Sequence, residues 1–208
     1  MKKNKLFLLG LFVVFAAVLS LSLVSNTFAK YVSTDQGFDS ARVAKWGVTV
    51  TAFDEQFAES YDGTVATSNE NKVVAPGTSK EVAGIVIAGK PEVSVKVEAT
   101  ADLVLSGWTV DGGAFYCPLT FEVAGNPVNL DGCDTAAKVE AAVETAIINA
   151  LKIDSAAPNT TLDKTVNVRW TWAFEVDDVK DTYLGNQAAQ GNAPIITLSI
   201  SCTVTQID

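Results

Sequence analysis

The sequence contains no histidine, only three cysteines, one methionine and six prolines among 208 residues. Without histidine, Ser-His-Asp and Cys-His nucleophilic systems, HExxH zinc sites and histidine proton shuttles are excluded. Catalysis by paired carboxylates alone stays open, as in glycosidases, but it needs a sugar cleft that sequence does not show. Charge is sparse, at 19% of residues, and lopsided, with 24 acidic against 15 basic side chains and a net charge of −9. Three of the lysines, Lys2, Lys3 and Lys5, open the chain, so the remainder is more acidic still. Such a surface repels polyanions, and neither nucleic acid nor anionic lipid is an expected partner. No internal repeat or low-complexity tract interrupts the chain. With 48% apolar residues it has the composition of a globular protein, long enough for a single core.

What is present begins with a leader. Leu6 to Val24 carries no charge and is followed by SNTFA and Lys30. The small residues Thr27 and Ala29 stand at −3 and −1 of a cut between Ala29 and Lys30, so residues 1–29 read as a signal peptide. The apolar run is also long enough to span a bilayer, which keeps a retained anchor as the alternative. In either case the body is exported. Residues 30–43 are polar with scattered apolar side chains (Tyr31, Val32 and Phe38), and a folded domain is expected over 44–208.

That domain reads as mostly strand. Val166, Val168, Trp170, Trp172, Phe174 and Val176 alternate with polar residues, the period of a strand with one buried face. Ile196, Leu198, Ile200, Cys202 and Val204 repeat the pattern at the end of the chain. The two strands are expected to pair antiparallel at the heart of a sandwich. The acidic corner Asp177, Asp178 and Asp181 and a polar loop would join them. Further strands are expected at Ala44–Ala52, Val82–Ala88, Val93–Ala99, Leu103–Val110 and Leu119–Val123, separated by turn signals such as Pro76-Gly77 and the DGG at 111–113. The exception is 134–151, where Val139, Val143, Ala146, Ile147, Ala150 and Leu151 recur at helical spacing. Asp134 or Thr135 can cap this helix, and Glu140 and Glu144 are expected on its solvent face. The fold class is therefore an all-β antiparallel sandwich with one inserted amphipathic helix.

Candidate sites are few. Trp170, Trp172 and Phe174 can be read as a ligand-stacking platform, but their alternation with valines favours core. The three aspartates at 177–181 have the chemistry of a calcium site without its spacing, and a solvated loop is favoured. No cofactor is expected. Exported chains oxidise, so an odd cysteine count leaves one over. The expected bridge joins Cys117 and Cys133 around a turn-bearing segment, with free thiols as the alternative. Cys202 is expected to remain a small buried hydrophobe.

Several segments together resemble the TasA/camelysin (CalY)-like family of secreted fibre-forming proteins from Gram-positive bacteria. They are the leader ending in TFAKY, then ARVAKWGVTV and APGTSKEVAGIVIAGKPEVSVKVEA, and finally WTWAFEVDDVKDTYLG and ITLSISCTVTQID. The likeness covers the layout of most of the chain. It implies a jelly-roll-like sandwich, a leader removed by a SipW-type signal peptidase, and assembly into fibres of a biofilm matrix or cell surface. It also implies that the new N-terminal segment, with Tyr31, Val32 and Phe38 as anchors, completes the sheet of a neighbouring subunit. Expected partners are other copies of the chain and an accessory protein of the matrix or cell wall; membrane contact would come only through an uncleaved leader. Camelysins have been classed as metallopeptidases, a label that fits poorly with a chain lacking histidine. The competing reading is a surface binding module presenting 54–72 and 177–193 to a carbohydrate or host protein.

Overall fold

The structure is a computed structural model describing residues 43–51, Phe57 and 72–208. The leader, the Ala29–Lys30 cut and the anchors Tyr31, Val32 and Phe38 lie outside the described residues, as does most of 54–72. Among the described residues there are eight strands and two α-helices. They are β1 (Val48–Thr51), β2 (Ser79–Gly89), β3 (Val95–Ser106), β4 (Leu119–Val123), β5 (Asn126–Pro127), α1 (Ala136–Leu151), β6 (Ile153–Ala156), β7 (Leu162–Trp172), α2 (Asp178–Ala189) and β8 (Ile195–Gln206). One sheet has the order β1-β2-β7-β4-β5 and the other β6-β3-β8, and every pairing is antiparallel. The result is a β-rich, sandwich-like fold with two helices.

β7 is the central strand of the larger sheet, and its alternation does what a period of two dictates. Val166, Val168, Trp170 and Trp172 are buried, while Arg169 is exposed and Asn167 and Thr171 are half-buried. The expected continuation through Phe174 and Val176 fails, because those side chains are 64% and 54% exposed. The strand stops at Trp172, and Glu175 turns the chain through a left-handed φ of 59°. The acidic corner then proves to be the start of a second helix. The Asp177 side chain caps it by accepting from the Lys180 amide, and Asp178 and Asp181 in the first turn complement the positive end of the helix dipole.

That helix also explains why the expected pairing of the last two long strands does not occur. The 173–194 connection is too long for a hairpin, and it carries the chain from one sheet to the other, so β8 pairs with β3 instead of β7. The expected strands at 93–99 and 103–110 are likewise one strand, since Val95–Ser106 runs unbroken along β8.

The two sheets and α1 share one core. Val139, Val143, Ile147 and Leu151, four apart on α1, are all buried. Ile147 and Leu151 meet Val166 and Val168 of β7 and Ile200 of β8 around a small gap. Thr135 caps the helix by accepting from the Lys138 amide at 3.3 Å. Close approach of backbones fixes one glycine in β2. A Cβ on Gly84 would lie 1.3 Å from the Val166 carbonyl oxygen, at the bulge where the Gly84 amide donates to Asn167 Oδ1.

Candidate functional site: an open sheet edge beside an apolar cavity

The two edges of the smaller sheet are treated oppositely. On the side of β3 away from β8, β6 pairs only at Val95 and Val97. Beyond that point α1 takes over: the Leu103 amide donates to Glu144 Oε1 at 2.9 Å and the Leu105 amide to Glu140 Oε1 at 2.7 Å. The two carboxylates expected to face solvent are therefore edge acceptors, one helical turn apart, clamping the strand beneath. They sit one position after Val139 and Val143, at the border of the buried stripe, and that border faces β3.

Among the described residues β8 has no such cover. Leu103 and Leu105 oppose Leu198 and Ile196 in the register, and residues opposite one another point their backbone groups to the same kind of side. Because Leu103 and Leu105 send their amides away from β8, Ile196, Leu198, Ile200, Cys202 and Val204 send theirs away from β3. Among the described residues no backbone group bonds to that side of β8.

Natural edge strands are blunted by lysine, proline, bulges or shortness. The other sheet edges, β1, β5 and β6, are four, two and four residues long. β8 is twelve residues long, pairs with β3 in unbroken register, and carries no charge and no proline. Its inward side chains are also under-covered. Val95, Val97, Leu103 and Leu105 of β3 are buried, whereas Ile196, Leu198, Ile200, Cys202 and Val204 are all only half-buried.

At the Ile195 end of β8 lies a cavity of about 880 Å³. Its wall is mostly apolar, with Trp108, Trp172, Leu184, Pro194, Ile196 and Leu198 prominent. Trp108 and Trp172 form a tilted pair with centroids 5.6 Å apart. Trp108 is nearly fully buried, and its indole N–H donates to the Ile195 carbonyl at 3.0 Å, tying the start of β8 to the end of β3. Nothing in the period-two reading singled out Trp108, which lies just past the end of β3.

Asp181 is a carboxylate on this wall. It accepts from the Tyr116 hydroxyl at 2.8 Å and from the Trp172 indole N–H at 3.4 Å, so it docks α2 onto the end of β7. Burial, reinforced by the bond to Asp181, holds the Tyr116 phenol protonated well above its ordinary range. Lys180 lies 4.9 Å from the centre of the Tyr116 ring and pairs with Asp177 at 2.8 Å, which keeps that carboxyl below its usual range. Two of the three aspartates offered for calcium are thus used as a cap and a dock, and Asp178 is exposed. Among the described residues no group of acidic and cysteine side chains is arranged to hold a metal ion.

The cysteines are not bridged. Cys117, Cys133 and Cys202 are all free and half-buried, so the expected Cys117–Cys133 bond is not formed. Both residues pack against the core instead. Burial pushes the Cys117 thiol up to about 11 and raises that of Cys202 as well.

Comparison of the chain with protein-family models, characterised proteins and solved structures gave no match. Among the described residues no helix is long and apolar enough to cross a membrane.

Proposed function

We propose that this protein is an exported structural subunit that polymerises by strand addition at the edge of β8, building fibres of an extracellular matrix or cell surface. The observation that carries the reading is that edge: twelve residues, uncharged, with half-buried apolar side chains and outward amides that lack a partner among the described residues. An added strand would satisfy the amides and cover the apolar stripe in one step, which is how main-chain pairing and side-chain pockets combine in strand-addition complexes. The jelly-roll-like sandwich is part of this proposal, with the smaller sheet completed by a neighbour.

The donor in this reading is the segment freed by a cut after Ala29. It is too polar to build a core strand alone, yet it carries Tyr31, Val32 and Phe38. Its resemblance to the fibre-forming family supports the same assignment. The test is a mature chain lacking residues 30–41. It should remain folded by circular dichroism and monomeric by light scattering, while the mature chain beginning at Lys30 forms fibres in negative stain. Fibres from the truncated chain at the wild-type rate would refute strand donation.

A further inference from the structure

We infer that the cavity at the start of β8 is an anchor pocket. It takes one bulky apolar side chain, of phenylalanine size, from a strand added to the β8 edge, and so fixes the register of that strand. The inference rests on the strand-addition reading above, and it concerns the acceptor alone.

The pocket is continuous with the edge. Ile196 and Leu198 stand on the cavity wall and also on the inward stripe of β8. Their amides are the first two of the row that points away from β3. A strand bonded to those amides sets its inward side chains beside theirs, because residues opposite one another in a ladder share a face. Those side chains enter the cavity. Next to Ile200 the interior is different, since Ile147, Leu151, Val166 and Val168 close it to a small gap. Among the described residues, the room for a large side chain is at the Ile195 end.

The far wall leaves that room open. α2 turns Asp181, Leu184, Gly185 and Ala188 to the cavity, the spacing of one helical face. A face that packs inward normally carries large apolar side chains, yet Leu184 is the one buried residue of this helix. Gly185 lies in the helix interior, where only proline is less favourable, and a Cβ there would meet nothing within 4 Å. On the other side Ile196 and Leu198 are only half-buried. Neither wall supplies the missing bulk. An added strand delivers it in the same step that satisfies the edge amides.

The chemistry of the floor selects an apolar anchor. The indole N–H of Trp108 donates to the Ile195 carbonyl and that of Trp172 to Asp181, whose other oxygen accepts from the Tyr116 hydroxyl. These polar groups are already paired, so an apolar side chain beside them strands none of them. An acidic anchor would be set against Asp181 and is disfavoured. On the outer face Ser199, Ser201 and Thr203 are exposed hydroxyls, which suit uncharged polar residues at the outward positions of the partner strand.

The experiment titrates the full mature chain, kept below the concentration at which it assembles, with capped nine-residue peptides. Each has valine at inward and threonine at outward positions, and its first or last inward valine is replaced by phenylalanine, alanine or aspartate, so that both strand directions are sampled. Tryptophan fluorescence gives the affinity, and hydrogen exchange of the β8 amides gives the location. In one of the two orders the phenylalanine peptide should bind at least about tenfold more tightly than the alanine peptide, as a buried aromatic anchor does, and the aspartate peptide should bind most weakly. Gly185→Leu and Ala188→Leu fill the pocket from the α2 side, away from the edge, and each should erase the phenylalanine advantage while the alanine peptide still binds. Asn186→Leu, off the cavity wall, should keep it. Equal binding of the phenylalanine and alanine peptides in both orders, binding by none, or an advantage that survives both filling variants would overturn the pocket. Cys202→Pro then separates the two readings, because it removes one outward amide and leaves the ladder with β3 intact. If it slows fibre growth, strand addition stands and the pocket alone falls; if growth is unchanged, both fall.

Discussion

Replacing Glu140 and Glu144 together by alanine should loosen β3 along the edge that α1 covers. Each carboxylate takes one backbone N–H, at 2.7 and 2.9 Å, and among the described residues no other group is seen to accept from Leu105 or Leu103. Hydrogen bonds to charged groups contribute about 1.5–3 kcal/mol each, and a buried donor left without a partner costs its desolvation. Both bonds are part-buried, so water can partly replace the lost acceptors. The expected loss for the double variant is therefore about 2–4 kcal/mol, against a typical total of about 5–15 kcal/mol. Glutamine at both positions keeps an oxygen acceptor and should recover about half. Urea melts give the free energy, and hydrogen exchange of the Leu103 and Leu105 amides gives the location. Glu122→Ala, on an exposed position of β4, serves as the control and should change stability by less than about 0.5 kcal/mol. A double variant within about 0.5 kcal/mol of wild type, with both amides exchanging no faster, would refute the clamp.

Trp170→Ala should cost about 3–5 kcal/mol in the same melts, because the side chain is fully buried in the central strand and packs against Phe57 at 5.7 Å; a loss below about 1 kcal/mol would show that the site is not core. Gly84→Ala should destabilise by at least about 1–3 kcal/mol, since its Cβ would overlap backbone rather than a side chain that can turn away; a neutral result would mean that the β2 bulge relaxes freely. The raised thiol of Cys117 gives a pH dependence whose sign is fixed. Below about pH 9 the thiol is protonated in folded and unfolded chains alike. Between the ordinary value of 9.0 and the folded value of about 11 only the unfolded chain ionises, so stability should fall across that window. The loss should be about 1–2 kcal/mol after allowance for partial exposure. Melts at pH 8.5 and 11 should show a fall that is smaller by that amount in Cys117→Ala, the remainder coming from other groups held protonated by burial, Tyr116 and Cys202 among them.

The parts of the fold legible in the sequence were those in which burial follows a simple period. β7 up to Trp172, the stripe of β8 and the apolar face of α1 all follow from counting in twos or fours. Legibility stopped where a second signal competes with the period. Phe174 and Val176 keep the alternation of β7, yet the chain has already turned at Glu175, and no periodicity encodes that turn. α2 went unread because it buries only Leu184, so its evidence was local: Asp177 as a cap and acidic residues in the first turn. Glu140 and Glu144 looked like solvent-facing charge because sequence gives a helix face but not its neighbour, and here the neighbour is a strand with spare amides. The open edge of β8 was beyond the sequence for the same reason, since it depends on β8 pairing with β3 rather than β7.

The clamp on β3 has a consequence for how copies of such a unit can add up. In the proposed assembly, with β3 covered by α1 and β8 the one long edge left open among the described residues, each subunit would offer a single acceptor. Two acceptors facing each other would make a closed, two-fold pair, whereas a donor arm laid on a distinct acceptor makes a heterologous contact that repeats without closing. A chain built in that way has two unlike ends, one displaying an empty β8 and the other an unused arm. Its growth can then be capped at one end by a ligand that resembles the arm, and at the other by a unit whose arm is missing.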